Sequence, residues 1–379
     1  MHHLNHGSFG AVPLEVQARQ IEWRVRWEAN TTGFILNEYT DALDVARQEL
    51  ANFVGAAPAG LVFVRNASQG VASVIRTIEP QLKPGDEIVT TNQDYNAVRQ
   101  TLEFSAATRG TRVVVAEVPF PIESPDQVLN SVLNAITART RLVVIDHIAS
   151  PTGLIFPIEE IVSEVEPDVP VLVDGAHGPG QVPLSLDALG ASWYTGNLHK
   201  WVCAPKGSGF LHARADRIDE TVPTVISHAW NTPIVDGASK YHGLFDWVGT
   251  DDMTPWLTVP DAIGVVGRME SGGWPAVMKR NHELALEARR IICDVLAIQA
   301  PAPDEMVGSL FAIRLFDRSG EDPGGLLSPL NQELLDAGFE TLVMVWPEWP
   351  HQIIRISAHL YNELDEYRLI AVTLSQMGG

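Results

Sequence analysis

Between residues 61 and 213 short apolar runs alternate with helix-like stretches, and that rhythm leaves few folds open. Strand-like runs fall at 61–64, 86–90, 112–118, 141–147, 170–174, 192–196 and 207–212, with helical patterns at 71–78, 96–109, 126–138 and 157–165. Strands that alternate with helices build βαβ units and a mostly parallel sheet buried on both faces. Outside this block, 17–27 reads as helix, and Leu43, Ala46, Leu50, Phe53 and Val54 recur at helical spacing. From about 214 the rhythm breaks. The stretch 223–256 reads as loop; then come a helix at 275–298, a strand at 309–315, a helix at 326–336, strands at 340–345 and 352–357, and a closing helix from 363. The expectation is an α/β protein. A large domain over 20–255 carries a mostly parallel seven-stranded sheet, and residues 1–19 with 256–379 form a smaller α+β domain.

Composition narrows the function classes. The net charge of −21 over 379 residues disfavours nucleic acid and anionic membrane as partners, since both need basic patches. Two cysteines, Cys203 and Cys293, make no disulfide framework and fit a reducing, cytoplasmic setting. No apolar stretch reaches membrane-spanning length, and the first residues lack a basic-then-apolar signal layout.

In parallel sheets ligands bind beyond the carboxyl ends of the strands. The first such segment, Ala67-Ser68-Gln69-Gly70, opens a helix, whose free N–H groups suit a phosphate; Ser68 is equally a plain helix cap. The second holds Tyr95, which could stack on a flat heteroaromatic or simply pack a helix start. A later one carries Ser150 and Thr152 in a turn stiffened by Pro151 and Gly153. The run 170–174 ends in Asp174, three residues before His177. A buried carboxylate needs a cation, and a protonated pyridine nitrogen would serve. A metal held by Asp174 and His177 ranks lower, because no further ligand lies at suitable spacing, so no metal is expected.

The sixth run leads into Tyr194-Thr-Gly-Asn-Leu-His-Lys-Trp-Val-Cys-Ala-Pro-Lys-Gly-Ser-Gly209. Lys200 is one of only five lysines, so its place behind a strand and before a glycine turn carries weight. A Schiff-base lysine must shed its proton, which asks for a partly desolvated site that Trp193, Tyr194, Trp201 and Val202 could wall. Phosphate binder, ring stacker, acid for a ring nitrogen and lysine, in this order, form the parts list of pyridoxal phosphate chemistry.

Several segments resemble the class V aminotransferase family of fold type I pyridoxal phosphate enzymes, and within it the isopenicillin N epimerase-like branch. They are LNHGSFGA (4–11), VDGAH (173–177), GNLHKW (196–201), CAPKG (203–207), DWVGTDD (246–252) and RISAHLYN (355–362), which together span nearly the whole chain. The resemblance implies that Lys200 is the Schiff-base lysine, that Asp174 holds the pyridine nitrogen and that His177 is the partner of the ring oxygen. It puts Tyr95 on the ring face, Ala67, Ser68, Asn197 and His199 in the phosphate cup, and Ser150 where relatives often carry Asn. It implies a homodimer with active sites at the subunit interface, Thr250 reaching the phosphate of the second subunit, and it places Arg355 on the substrate carboxylate. The N-terminal motif, with Asn5 and His6, would close over the substrate.

The expected activity is therefore removal of a proton from Cα of an amino acid. Reprotonation on the other face would make the protein an epimerase or racemase. An aminotransferase and a β-eliminating C–S lyase are the alternatives, and a non-catalytic cofactor-binding protein carries least weight. A persulfide-forming desulfurase is disfavoured, because no cysteine lies between 294 and 379. A nicotinamide enzyme is disfavoured because no G-x-G-x-x-G follows the first alternating strand. His6, His228 and Tyr361 are candidates for a second proton donor.

Overall fold

The computed structural model describes residues 1–233, 238–322, 324–325 and 327–378. Residues 234–237 of the expected loop and Leu326, where a helix was expected to begin, lie outside these. The strands in chain order are β1 (His2–His3), β2 (Leu61–Val64), β3 (Glu87–Thr91), β4 (Arg112–Ala116), β5 (Thr140–Asp146), β6 (Val171–Gly175), β7 (Trp193–Asn197), β8 (Gly209–Ala213), β9 (Leu310–Arg314), β10 (Phe339–Glu340), β11 (Leu342–Val345) and β12 (Gln352–Ser357).

Seven of them form one sheet in the order β2-β8-β7-β6-β5-β3-β4. Pairing is parallel from β4 through β7, and β8 runs antiparallel to both β7 and β2. Alternate residues feed two separate cores. Leu61, Phe63, Val143, Ile145, Val171, Val173 and Tyr194 face one side. Val62, Val64, Leu142, Val144, Leu172 and Trp193 face the other. That period of two, with both faces apolar, is why these strands read as unbroken hydrophobic runs.

A second, antiparallel sheet has the order β11-β12-β9. Its core holds Phe311, Ile313, Val343, Ile354 and Ile356, packed against the helices Trp274–Leu296 and Leu364–Met377. Leu4 is buried in this core, and β1 pairs with β10. Val16, Trp256, Val259, Ala262 and Val265 belong instead to the large core. We therefore propose that the division between units falls within the helix Trp274–Leu296, with only the first few residues crossing over.

Of the helices that were not expected, two pack against the large sheet's cores. Within 223–256, the helix Lys240–Asp246 buries Tyr241, Leu244 and Phe245, and Ser239 caps it by accepting from the N–H of His242. It is too short to show a period among its glycine and histidine neighbours. The helix Val259–Gly267 contains Pro260 and two glycines, poor formers that burial of Val259, Ala262 and Val266 overrides. Conversely, the expected start at 71 moves back to Ala67, because the Asn66 side chain accepts from the N–H of Gln69. Among the described residues no helix is long and apolar enough to cross a membrane.

Candidate active site

The carboxyl ends of β3, β5, β6 and β7 open into a cavity of about 1510 Å³, closed on its far side by the smaller sheet. Lining it are Ala67, Ser68, Tyr95, Ser150, Asp174, His177, Asn197, His199, Lys200, Asn5 and Arg355. Eleven residues proposed from sequence for cofactor or substrate thus meet in one space.

Lys200 follows β7 and points its amine at His177, with Nζ 2.9 Å from Nε2. Trp201 donates its indole N–H to His177 Nδ1 at 3.3 Å. A neutral imidazole that accepts at Nδ1 carries its proton on Nε2, so it faces Lys200 as a donor. The lysine must then offer a lone pair. Burial, aided by the Arg355 charge, lowers the Lys200 amine to about 7, against the pull of Asp174 and Asp146. Burial, with Lys200 as second cause, also holds His177 well below its ordinary range and so neutral.

Asp174 ends the apolar run of β6, and its Oδ1 accepts the N–H of Ala176 at 2.9 Å. Burial raises its carboxyl, which leaves it ready for a cationic partner. Gly175 is dictated by packing, since a Cβ there would lie 2.0 Å from the Tyr194 ring. Tyr194 in turn holds His147 through a hydrogen bond of 2.9 Å to Nδ1.

The phosphate end is the start of the helix Ala67–Ile78. Asn197 Oδ1 accepts the N–H of Ala67 at 2.8 Å and ties that turn to β7. His199 bonds the Ser208 carbonyl through Nδ1 at 3.0 Å, which leaves Nε2 toward the cavity. Burial lowers His199 to about 4.

Among the described residues, Arg355, on β12, is held by neutral groups alone. It donates to the Ser150 carbonyl at 2.6 Å, to Ser150 Oγ at 3.3 Å, to Ser8 Oγ at 2.7 Å and to Asn5 Oδ1 at 3.3 Å. Its Nε is buried without a partner, and burial lowers the group to about 10. A buried guanidinium without a carboxylate is costly, and it waits for an anion.

Four candidates fall elsewhere, and the first is a correction. His6 does not face the substrate space. Asn5 and Ser8 lie three residues apart and turn together toward Arg355, whereas His6 leaves on the opposite side. There it stacks on His359 with ring centroids 3.9 Å apart and bonds Tyr361 through Nδ1 at 2.9 Å. Neither His6 nor Tyr361 lines the cavity, so neither is placed as a proton donor; His228, in the turn His228–Trp230, does not line it either. Thr250 is exposed in a loop and contributes nothing to this chain's own cavity.

Sequence reasoning missed Ser8, Asp94 and Asp146, all of which line the cavity. Asp146 could have been found, because it terminates an apolar run as Asp174 does. Asp94 sits beside Tyr95 in a loop and carries no such signal.

The donor set fits pyridoxal phosphate: a desolvated amine, a strand-end acid, a helix N-terminus and an unmatched arginine share one space. Comparison with known proteins agrees. An isopenicillin N epimerase of Amycolatopsis lactamdurans is 32% identical over 387 residues, covering 99% of this chain and 94% of the other. An L-cysteine desulfhydrase of Arabidopsis thaliana is 27% identical, covering 82% of this chain and 70% of the other. A solved structure of the cystine C–S lyase C-DES, in complex with its reaction product cysteine persulfide, shares the fold with a TM-score of 0.80 at 20% identity, covering 100% of this chain and 98% of that one. The profile described as aminotransferase class-V matches residues 13–368, and the chain belongs to that family of pyridoxal phosphate enzymes.

Proposed function

We propose that the protein epimerises an α-amino acid whose side chain is long, as an isopenicillin N epimerase-like enzyme, with Lys200 as the base at Cα. One observation carries this reading: an unmatched buried arginine and a desolvated lysine share a cavity far larger than a small amino acid fills. From Arg355 the cavity continues along β11. Leu342 pairs with Arg355, and Met344 and Trp346 follow it two residues apart, on the same face. An amino acid whose carboxylate rests on Arg355 could lay an extended side chain along this apolar wall.

Bound pyridoxal phosphate supplies an electron sink that makes the Cα proton acidic. The chain's own groups do the rest. Asp174 would keep the pyridine nitrogen protonated, and His177 would donate from Nε2 to the ring oxygen. Ser68 and the amide NH2 of Asn197 would hold the phosphate at a helix N-terminus whose first turn Ala67 ties to Asn197, Tyr95 would cover the ring, and Arg355 grips the carboxylate as a bidentate fork. Lys200, already near neutral pH in its proton affinity, takes the Cα proton.

A second reading, β-elimination at a C–S bond, is supported by the desulfhydrase relative and needs no donor on the face away from Lys200. Incubation with an amino-acid panel in deuterated water separates the two. Cα deuteration with loss of optical activity supports the epimerase; sulfide or keto acid with ammonia supports the lyase. An enzyme carrying the cofactor that exchanges no Cα proton in any of them would sink both.

We also propose a homodimer that brings Thr250 to the phosphate of the second subunit. Leu14, Ile21 and Val25 support it: they are 82%, 56% and 64% exposed along one face of the helix Leu14–Ala29. Sedimentation should give twice the chain mass, and Thr250→Ala should weaken cofactor retention without changing that mass.

A further inference from the structure

Three carboxyl groups line the inner end of the cavity on neighbouring strands: Asp94 beyond β3, Asp146 at the end of β5, and Asp174 on β6. Asp146 stands in the middle and lies directly opposite Asp174 in the strand register. All three are buried; Asp146 and Asp174 are each 3% exposed. They are not equally provided for. Asp174 has the N–H of Ala176 at 2.9 Å. Asp94 has Arg99, whose Nε is 3.6 Å away. Asp146 is helped only by its own backbone N–H, and among the described residues its Oδ2 is buried without a partner, as is Asp94 Oδ2.

Arg99 faces Asp94 alone, Arg355 is tied to neutral groups and Lys200 lies near neutrality, so three ionised carboxylates are not matched in so dry a space. A proton must settle on one of them, and it settles where no neighbouring residue offers a donor to reward the charge. We propose that Asp146 is the protonated member of this triad and a positioning residue for the cofactor. As a neutral acid it adds no charge beside Asp174 and has one O–H to donate to a flanking carboxylate, so that Asp174 stays ionised for the pyridine nitrogen. The proposal rests on Asp174 as the partner of that nitrogen. The surroundings agree in direction: burial, then the charges of Asp94 and Asp174, raise Asp146 well above the carboxylate range, against the opposing pull of Lys200 and of its own backbone N–H.

The test uses Asp146→Asn, which keeps the shape and a donor but cannot ionise, and Asp146→Ala, which keeps neither. Difference infrared spectra of the cofactor-free protein at about pH 8 should show the carbonyl stretch of a protonated acid. At that pH Asp94, raised to about 7, and Asp246, raised to about 6, are largely ionised. The band should vanish in Asp146→Asn. Its absence from the wild-type protein, or its survival in Asp146→Asn, overturns the proposal whether or not any variant is active.

The linkage sign gives a second readout. A carboxyl raised in the fold binds a proton that the unfolded chain has released, so wild-type stability falls as pH rises above the unfolded value. Asp146→Asn escapes that loss. Its Tm should exceed that of the wild type by a margin that widens from about pH 5 to about pH 8. A margin that is flat or shrinks over this range contradicts the proposal. In the loaded protein, Asp146→Ala should shift the pH midpoint of the visible absorption band and Asp146→Asn should restore it. If Asp146→Ala leaves the midpoint in place, Asp146 does not act on Asp174.

Discussion

The turn that carries Lys200 has two buried sides, and they are built oppositely. On the cavity side stand Lys200, Asp174 and Arg355, ionisable groups left with unmatched charge or an open valence. On the reverse side stand His6, Cys203 and His359, buried but neutral and turned toward one another, with the partly exposed Tyr361 bonded to His6 at the rim. Burial lowers His359 to about 3 and raises the Cys203 thiol to about 12, so both are silent near neutral pH. The same burial brings Lys200 to about 7, where it is useful. Depth alone therefore does not mark function. What distinguishes the sides is whether a buried group still lacks a partner and whether space lies in front of it.

The largest effect should come from Lys200→Ala. It removes the base and the amine that would anchor the cofactor, and Cα proton exchange should fall by about 10³-fold or more. Retention of the visible band and of exchange in this variant would mean that the cavity side has been misidentified.

Arg355→Gln should come next. Charge-assisted bonds to a carboxylate contribute about 1.5–3 kcal/mol, so kcat/KM should drop by roughly 10- to 150-fold, mostly through KM. The cofactor-free variant should unfold no more easily than the wild type, because a buried charge without an acidic partner has been removed. A clear loss of stability with unchanged kcat/KM would make Arg355 part of the packing.

Much of the cavity side was legible in the sequence because a parallel sheet presents its ligands in chain order. Asp174, Asn197, His199 and Lys200 each follow an apolar run closely enough to be placed without coordinates. The reverse side was not legible. His6 shares a motif with Asn5, and only the short helical turn His6–Phe9 sends the two side chains apart. Gly10 fixes that turn against the lysine loop: its φ is 72°, and a Cβ there would lie 2.0 Å from the His199 carbonyl oxygen. Long-range closures of this kind leave no local pattern, and neither does the antiparallel return of β8 beside β2.

A smaller effect should appear in the cofactor-free protein as a pH dependence. Lys200 is lowered from its ordinary value of 10.5 to about 7, so the unfolded chain holds a proton that the fold has lost between those values. Stability then rises with pH across that window. Lys200→Met cannot titrate and should be more stable than the wild type below pH 7, with the margin closing toward pH 10.5. A margin independent of pH would place the amine in water.

The smallest effect is expected on the reverse side. His6 Nε2 and His359 Nε2 lie 3.7 and 3.6 Å from Cys203 Sγ, a grouping that resembles a set of metal ligands. The two rings, however, stack only 17° from parallel. Ligand lone pairs lie in the plane of an imidazole, so here they run side by side instead of converging on one ion. The cluster is better read as packing beneath the lysine turn. Cys203→Ala should then cost about 1 kcal/mol of stability, the scale of a small buried truncation, and change kcat by no more than about twofold. Added Co²⁺ should raise no thiolate charge-transfer band in the wild-type protein. A band with one ion per chain, lost in Cys203→Ala, would erase the contrast and make both sides of the turn functional.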